Sequence, residues 1–302
     1  MVSNLNPYSQ QFVYNLNRIA DRMQTAQQQI STGVRVNQVS DAPDSISTLL
    51  AARASLSAAQ QIQANLGRVK TEVDSGEQAL QTAVQLFDQV QTLGAQGDDS
   101  MATADTRAQI SQQLDGILQQ LVGIASTRVE GRYIFSGDAD QRPPYTLDLT
   151  QANPVSAYQG SAATRVAQNP HGGTFPISET AQTIFDSADP ATNVFAAITA
   201  LRTALNNNDD AGIQAAVSGL SKVGDYLNQQ LAFYGTVQNN VAQATNDSQT
   251  MQTQLQAQIS DLQDTDMTSA ILELTQSQTA QQAALQSEAL IPRTSLLNYI
   301  QS

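Results

Sequence analysis

Between Ile62 and Val90, apolar residues fall at alternating spacings of four and three: Ile62, Leu66, Val69, Val73, Leu80, Ala83, Phe87 and Val90. Gly76 alone fills a position of this seam without a side chain. A 3.5-residue period sustained over about four heptads holds one face of a helix against a partner helix. At a rise of 1.5 Å per residue the stretch makes a rod of roughly 44 Å. Everything else reads as partners for this rod, a head above it, or ends below it.

Upstream, Met1 to Pro7 is a loose start, with Pro7 tolerable only at or before a first helical turn. Phe12, Leu16, Ile19, Met23, Ala26 and Ile30 then repeat at helical spacing, a narrow apolar stripe on a helix whose other face is Gln, Asn and Arg. Gly33 ends that helix, as glycine does at helix C-termini. Residues 34–44 form a linker in which Val34 and Val36 suit a short extended piece. Ser40, Asp41 and Pro43 offer turn and N-cap chemistry for a helix entering at Ser45 and running to about Ala95. Gly97, Asp98, Asp99 and Ser100 break it, and Ile110, Leu114, Ile117, Leu121 and Ile124 mark a third helix, closing an antiparallel hairpin.

The texture changes at Gly131. Tyr133, Ile134 and Phe135 are followed by Pro, Gly and Asn at turn-like intervals, and Tyr145–Leu149, Val155–Tyr158 and Thr174–Ile177 read as short strands. Helical period returns with Phe195, Ile198, Leu201 and Leu205, and again from Asp210 to Asp261. In that second stretch the three-residue step from Tyr234 to Val237 is a stammer, a local phase shift that overwinds the seam without ending the helix. A last, weaker stripe carries Met267, Ile271, Leu274, Ala284 and Leu285, and Pro292 separates it from an apolar end, Leu296, Leu297, Tyr299 and Ile300.

The expected fold is therefore mainly α with a small β-rich insert: a long antiparallel helical rod (45–131 and 191–264), a β-rich tip (132–190) and paired terminal helices (1–44 and 265–302). The terminal stripes outnumber the surface that one chain offers to cover them. Short amphipathic helices without partners are marginal in water, so the ends are expected to be mobile in the monomer and to find burial in other subunits. The candidate subunit-interface residues are Phe12, Leu16, Ile19, Met23, Ile30, Met267, Ile271, Leu274, Leu285, Leu296, Leu297, Tyr299 and Ile300.

Composition removes several functions. A net charge of −13 opposes binding to nucleic acid or anionic lipid, which takes clustered Lys and Arg. With no cysteine and a single histidine, thiolate chemistry is excluded and a His-based zinc site nearly so. No stretch is apolar and long enough to span a membrane, and the first thirty residues lack the basic start and apolar block of a signal peptide. His171 lies in a Pro-Gly-rich loop, Asp98-Asp99 and Asp209-Asp210 sit at helix boundaries where they cap, and Asp138 with Asp140 lacks the rest of a calcium loop. No catalytic, cofactor-binding or metal residues are nominated, and an enzyme acting through the tip ranks last.

Several stretches together resemble the flagellin family, and within it the branch that joins hook to filament. They are Gln29-Ile30-Ser31-Thr32-Gly33-Val34-Arg35-Val36-Asn37 with Ser40-Asp41-Ala42-Pro43, Glu77–Gln96, Gly131-Arg132-Tyr133-Ile134-Phe135-Ser136-Gly137 with Tyr158-Gln159-Gly160, Asp264-Thr265-Asp266-Met267, and Ser295-Leu296-Leu297-Asn298-Tyr299-Ile300. Filament flagellins tend to carry two arginines where this chain has Gln89 and Gln91. The resemblance implies a structural, non-enzymatic protein of the bacterial flagellum, extracellular and exported unfolded by the flagellar type III route without a cleaved signal peptide. It implies as partners other copies of the chain in a ring, the first hook-associated protein, flagellin and an export chaperone. A short filament flagellin, or a helical adaptor or adhesin outside the flagellum, stays open beside it.

Overall fold

The structure, a computed structural model, describes residues 7–38 and 41–290. Helices α1 (Pro7–Thr32), α2 (Pro43–Gly97) and α3 (Ala104–Ala125) come first. Two short antiparallel hairpins follow, β1 (Arg128–Val129) with β2 (Arg132–Tyr133) and β3 (Val166–Gln168) with β4 (Thr174–Pro176). Helices α4 (Ala181–Phe185), α5 (Val194–Asn206), α6 (Asp210–Gln263) and α7 (Met267–Leu290) complete the chain. The expected class, mainly α with a small β insert and two long helices, is what folds.

The chain divides into two compact units. One takes the described residues up to Ser57 with those from Thr253, and the other is Ala58–Gln252. The division falls inside α2 and α6, not at the loops near residues 44 and 265.

In the larger unit α2 and α6 run antiparallel. Tyr234 lies against Gly76, Leu220 and Val217 against Gly94, and Gln238 bonds Asp74, so residue numbers rise on one helix as they fall on the other. Their seam buries Leu66, Val73, Leu80, Phe87 and Val90 on one side and Leu220, Leu227, Tyr234 and Val241 on the other. The heptads read from the sequence are thus a core within one chain. Helix α3 adds Leu114, Leu118 and Leu121 and packs on α5, which adds Ile198 and Leu201. Arg107, 5% exposed, ties this end together: its Nε donates to Gly97 O at 3.1 Å, Nη1 to Asn208 Oδ1 at 2.6 Å, and Nη2 pairs with Asp210 at 2.6 Å. Asp210, expected only as a cap, is therefore also an ion-pair partner. Asp99 accepts the Met101 N–H at 2.9 Å, a turn role.

The head is built around Gly131–Gly137. Glu130 and Gly131, at φ 50° and 80°, make the two-residue turn of the β1–β2 hairpin, where glycine removes the Cβ conflict. The next carbonyls are each taken by another part of the head: Ile134 O by Arg165, Phe135 O by the Ala181 N–H and Tyr158 hydroxyl, Ser136 O by the Ser161 N–H. The fully buried Phe135 ring meets Phe185 edge-on at 6.5 Å and Tyr234 at 6.2 Å, and so couples the head to α6. A Cβ on Gly137 would stand 2.3 Å from Ser161 O.

The strand expectations hold in part. Thr174–Pro176 is a strand, and its partner Val166–Gln168 was not foreseen. Segments 145–149 and 155–158 meet only through a bridge at Leu147 and Val155 with flanking backbone bonds, because Pro144 and Pro154 deny longer ladders their donors. The five-residue α4 is too short to show a period.

Candidate assembly surface

The smaller unit holds most of the residues singled out for subunit contact. Helix α1 packs along α7, and the contact is made close by small side chains: Ala26, Ala270 and Ser277 are all buried. Arg22 Nε donates to Glu273 Oε1 at 2.6 Å across it, and that bond holds the Glu273 carboxyl below the ordinary range. Asp266 is the N-cap of α7. It accepts the Ser269 hydroxyl at 2.9 Å and the Thr268 N–H at 2.9 Å, and the Ser269 hydroxyl bond chiefly lowers its carboxyl.

The linker residues 33–38 lie on the end of α6. Arg35 and Val36 donate their N–H groups to Gln263 O, Thr265 N–H returns to Gly33 O, and the Arg35 guanidinium reaches Leu262 O at 3.0 Å. Val34 bridges Asp264, and Val36 is buried, which completes the short extended piece read from the sequence. Asp41 takes the turn role of the two expected for this stretch. Its Oδ2 accepts the N–H groups of Asn37 and Gln38 at 2.9 and 2.7 Å, capping the turn before it, and α2 starts with Pro43 in the first turn. Ser40 lies outside the described residues.

The two terminal helices are expected as a pair with too few partners in one chain to be covered; in the structure they pair with each other and their stripes are partly covered. Accordingly Phe12, Leu16, Ile19, Met23 and Ile30 are half-buried, as is Leu274. Met267, Ile271 and Leu285 stay exposed, at 42–52%. Leu296, Leu297, Tyr299 and Ile300 lie outside the described residues. Heptad reasoning passed over Val13, Tyr14, Leu50 and Leu272, all about half exposed or more. They sit off the stripes, so only their neighbours in space reveal them. Of the exposed large apolar side chains among the described residues, only Met101 and Val166 belong to the larger unit.

Chemistry-bearing groups are sparse. His171 is in the turn between β3 and β4, with Nε2 3.9 Å from Asp247. Among the described residues no three His, Asp or Glu side chains converge on a cation position, and no helix is long and apolar enough to cross a membrane.

The family descriptions that match are the bacterial flagellin N-terminal helical region, over residues 3–140, and the bacterial flagellin C-terminal helical region, over residues 217–300. The chain belongs to the bacterial flagellin family. Its two matched regions include both terminal helices, α3 and the whole Gly131–Gly137 segment.

Among solved structures, this flagellin-family chain is similar to a Vibrio parahaemolyticus protein provisionally named a flagellar hook-associated protein: TM-score 0.64, 20% identity, 74% of this chain and 100% of that one. It is also similar to Bacillus cereus FlgL, at TM-score 0.52 and 22% identity over 72% and 98% of the two chains. Legionella pneumophila flagellar hook associated protein-3 gives TM-score 0.52 and 11% identity over 70% and 96%. At these identities the likeness concerns the fold. No curated protein matches the chain in sequence.

Proposed function

We propose that this chain is a structural subunit of the bacterial flagellum, placed where the hook-associated proteins meet the filament, in the role that the name hook-associated protein 3 describes. The observation that carries the reading is the gathering of uncovered apolar side chains, Val13, Tyr14, Leu50, Ile271 and Leu272 among them, on the terminal unit of a flagellin-family chain. Exposed apolar side chains grouped on one unit mark a surface that neighbouring subunits would cover. The Gly131–Gly137 segment favours the junction branch over the filament branch, and the proteins of like fold bear hook-associated names.

In this reading the terminal segments, 1–44 and 265–302, make the subunit contacts, where burial of their stripes offsets the conformational entropy lost. Residues 45–131 and 191–264 form the rod, and 132–190 the outer tip. The partners are copies of the chain in a ring, the first hook-associated protein, flagellin and an export chaperone. The role is non-enzymatic and extracellular, after export by the flagellar type III route.

Immunogold labelling of intact flagella tests the placement. A single spot just above the hook is expected. Label along the whole filament makes the chain a short filament flagellin, and absence from flagella overturns the proposal. Deleting 1–40 or 265–302 is expected to keep helical circular dichroism while abolishing incorporation.

A further inference from the structure

In the larger unit a cleft of about 420 Å³ opens between α2, the β1–β2 hairpin and β3. Its wall includes a sheet edge that nothing covers. Ile177 N–H donates to Arg165 O and Asn169 N–H to Gly173 O, so residues 165, 167 and 169 turn their backbone groups toward β4. By the alternation of an antiparallel ladder, Val166 and Gln168 turn theirs outward. Among the described residues no partner meets those outward groups, and the Val166 side chain is 58% exposed. Part of the floor is apolar, with Ile62, Val69 and Val129 each half-buried.

The surroundings of the cleft are less negative than the molecule as a whole. In a chain of net charge −13, three arginines line it against two glutamates, with Asp140 beside Arg132. Arg165 is committed to Glu72, at 2.6 Å. Arg132 lies 3.9 Å from both Glu130 and Asp140, beyond hydrogen-bond reach. Arg68 meets only the Asn65 side-chain oxygen, at 2.6 Å, and forms no ion pair among the described residues. Two guanidiniums therefore have donors to spare beside an open strand edge.

We propose that this cleft is a docking site for an extended acidic segment of another protein. The segment adds as a strand to the outer edge of β3, places alternate apolar side chains on the floor, and offers carboxylates to Arg68 and Arg132. Strand addition draws affinity from main-chain hydrogen bonds and specificity from side chains on alternate positions. Planar guanidiniums suit carboxylates in two-point contact. The inference is independent of the flagellar placement.

The test is fluorescence anisotropy of the full chain with a labelled, acetylated peptide of alternating valine and glutamate. Saturable binding below about 100 µM is expected, with no binding of the valine–lysine counterpart. Val166→Pro removes the outward N–H and spares the β3–β4 ladder, and it is expected to weaken binding by about tenfold or more. Arg68→Glu with Arg132→Glu is expected to do the same. Should Val166→Pro fail to fold, amide exchange of the natural chain replaces it, with Val166 and Gln168 gaining protection on peptide addition. No saturable binding, equal binding of the lysine peptide, or binding indifferent to Val166→Pro overturns the proposal. Dimerisation without peptide that Val166→Pro abolishes overturns it in favour of a second copy.

Discussion

The Tyr234 ring lies so close over Gly76 that a Cβ on the glycine would stand 2.5 Å from the tyrosine Cε1. Gly76 is the empty seat in the α2 heptads, and Tyr234 is the large residue at the phase shift of α6. The one accommodates the other. Tyr234 is also fully enclosed between Phe135 and Phe233, and its hydroxyl accepts the Glu179 N–H at 3.4 Å.

Gly76→Ala therefore sets two effects in opposition. Alanine is favoured over glycine inside a helix by about 1 kcal/mol, whereas forcing a methyl into a filled core costs about 1–3 kcal/mol. The ring is hemmed in and cannot retreat, so a net loss of up to about 2 kcal/mol is expected by chemical denaturation. Gly116→Ala on α3 is the control, because nothing lies within 4 Å of the added Cβ; there a gain of about 0.5–1 kcal/mol is expected. A gain at both positions would refute the close contact.

Glu72 and Arg165 supply a pH-dependent test. Burial raises the Glu72 carboxyl above its ordinary 4.5, while the Arg165 guanidinium acts to lower it. A carboxyl whose folded value exceeds its unfolded value favours the folded state below 4.5, and this contribution is lost as pH rises through the folded value. Arg165→Met removes the lowering influence and strands a buried carboxylate. A loss of about 3 kcal/mol near neutral pH is expected, partly recovered on acidification as Glu72 takes up its proton. Adding Glu72→Gln is expected to flatten that recovery. Denaturation across a pH series reads both, and a loss independent of pH would contradict the assignment.

What the sequence made legible follows from which forces leave a periodic trace. Burial against a long neighbour repeats every 3.5 residues, so α1, α2, α3, α6 and α7 could be placed from residues such as Leu80, Leu114 and Leu227. Features made by one contact leave no period. Val166–Gln168 has a single valine and could not announce a strand, and Phe185, buried between Phe135 and Phe195, sits in a helix of five residues. On the candidate assembly surface the stripes of Phe12, Leu16 and Ile19 were readable, whereas Tyr14 and Leu272 were not. Their exposure results from α1 and α7 covering each other's stripes, a relation between distant segments.

Tyr145 carries a buried hydroxyl with no hydrogen-bond partner among the described residues, in a ring 2% exposed and set edge-on to Phe195 at 5.1 Å. Burial also pushes its phenol well above the ordinary tyrosine range. An unpaired buried hydroxyl is a penalty that phenylalanine removes without disturbing the packing. Tyr145→Phe is expected to stabilise the protein by about 1 kcal/mol in thermal or chemical melts. A loss of stability would mean that the hydroxyl has a partner after all.

The candidate assembly surface would separate folding from function most sharply at Tyr14 and Leu272, 68% and 57% exposed. Exposed side chains contribute little to the isolated chain, so Tyr14→Ser with Leu272→Ser is expected to leave stability within about 0.5 kcal/mol. If neighbouring subunits cover these side chains, the same double change removes two apolar contacts from every subunit interface, and incorporation into flagella should fall steeply. Ala26→Leu provides the contrast: that alanine is 2% exposed in the α1–α7 contact, and overpacking it should cost about 1–3 kcal/mol and impair folding and assembly together. Melts of the purified variants, set beside flagellar incorporation and swimming in cells lacking the natural protein, distinguish the two cases. Normal assembly by the stable double variant would remove Tyr14 and Leu272 from the interface, and with them the strongest physical support for a subunit that is completed by its neighbours.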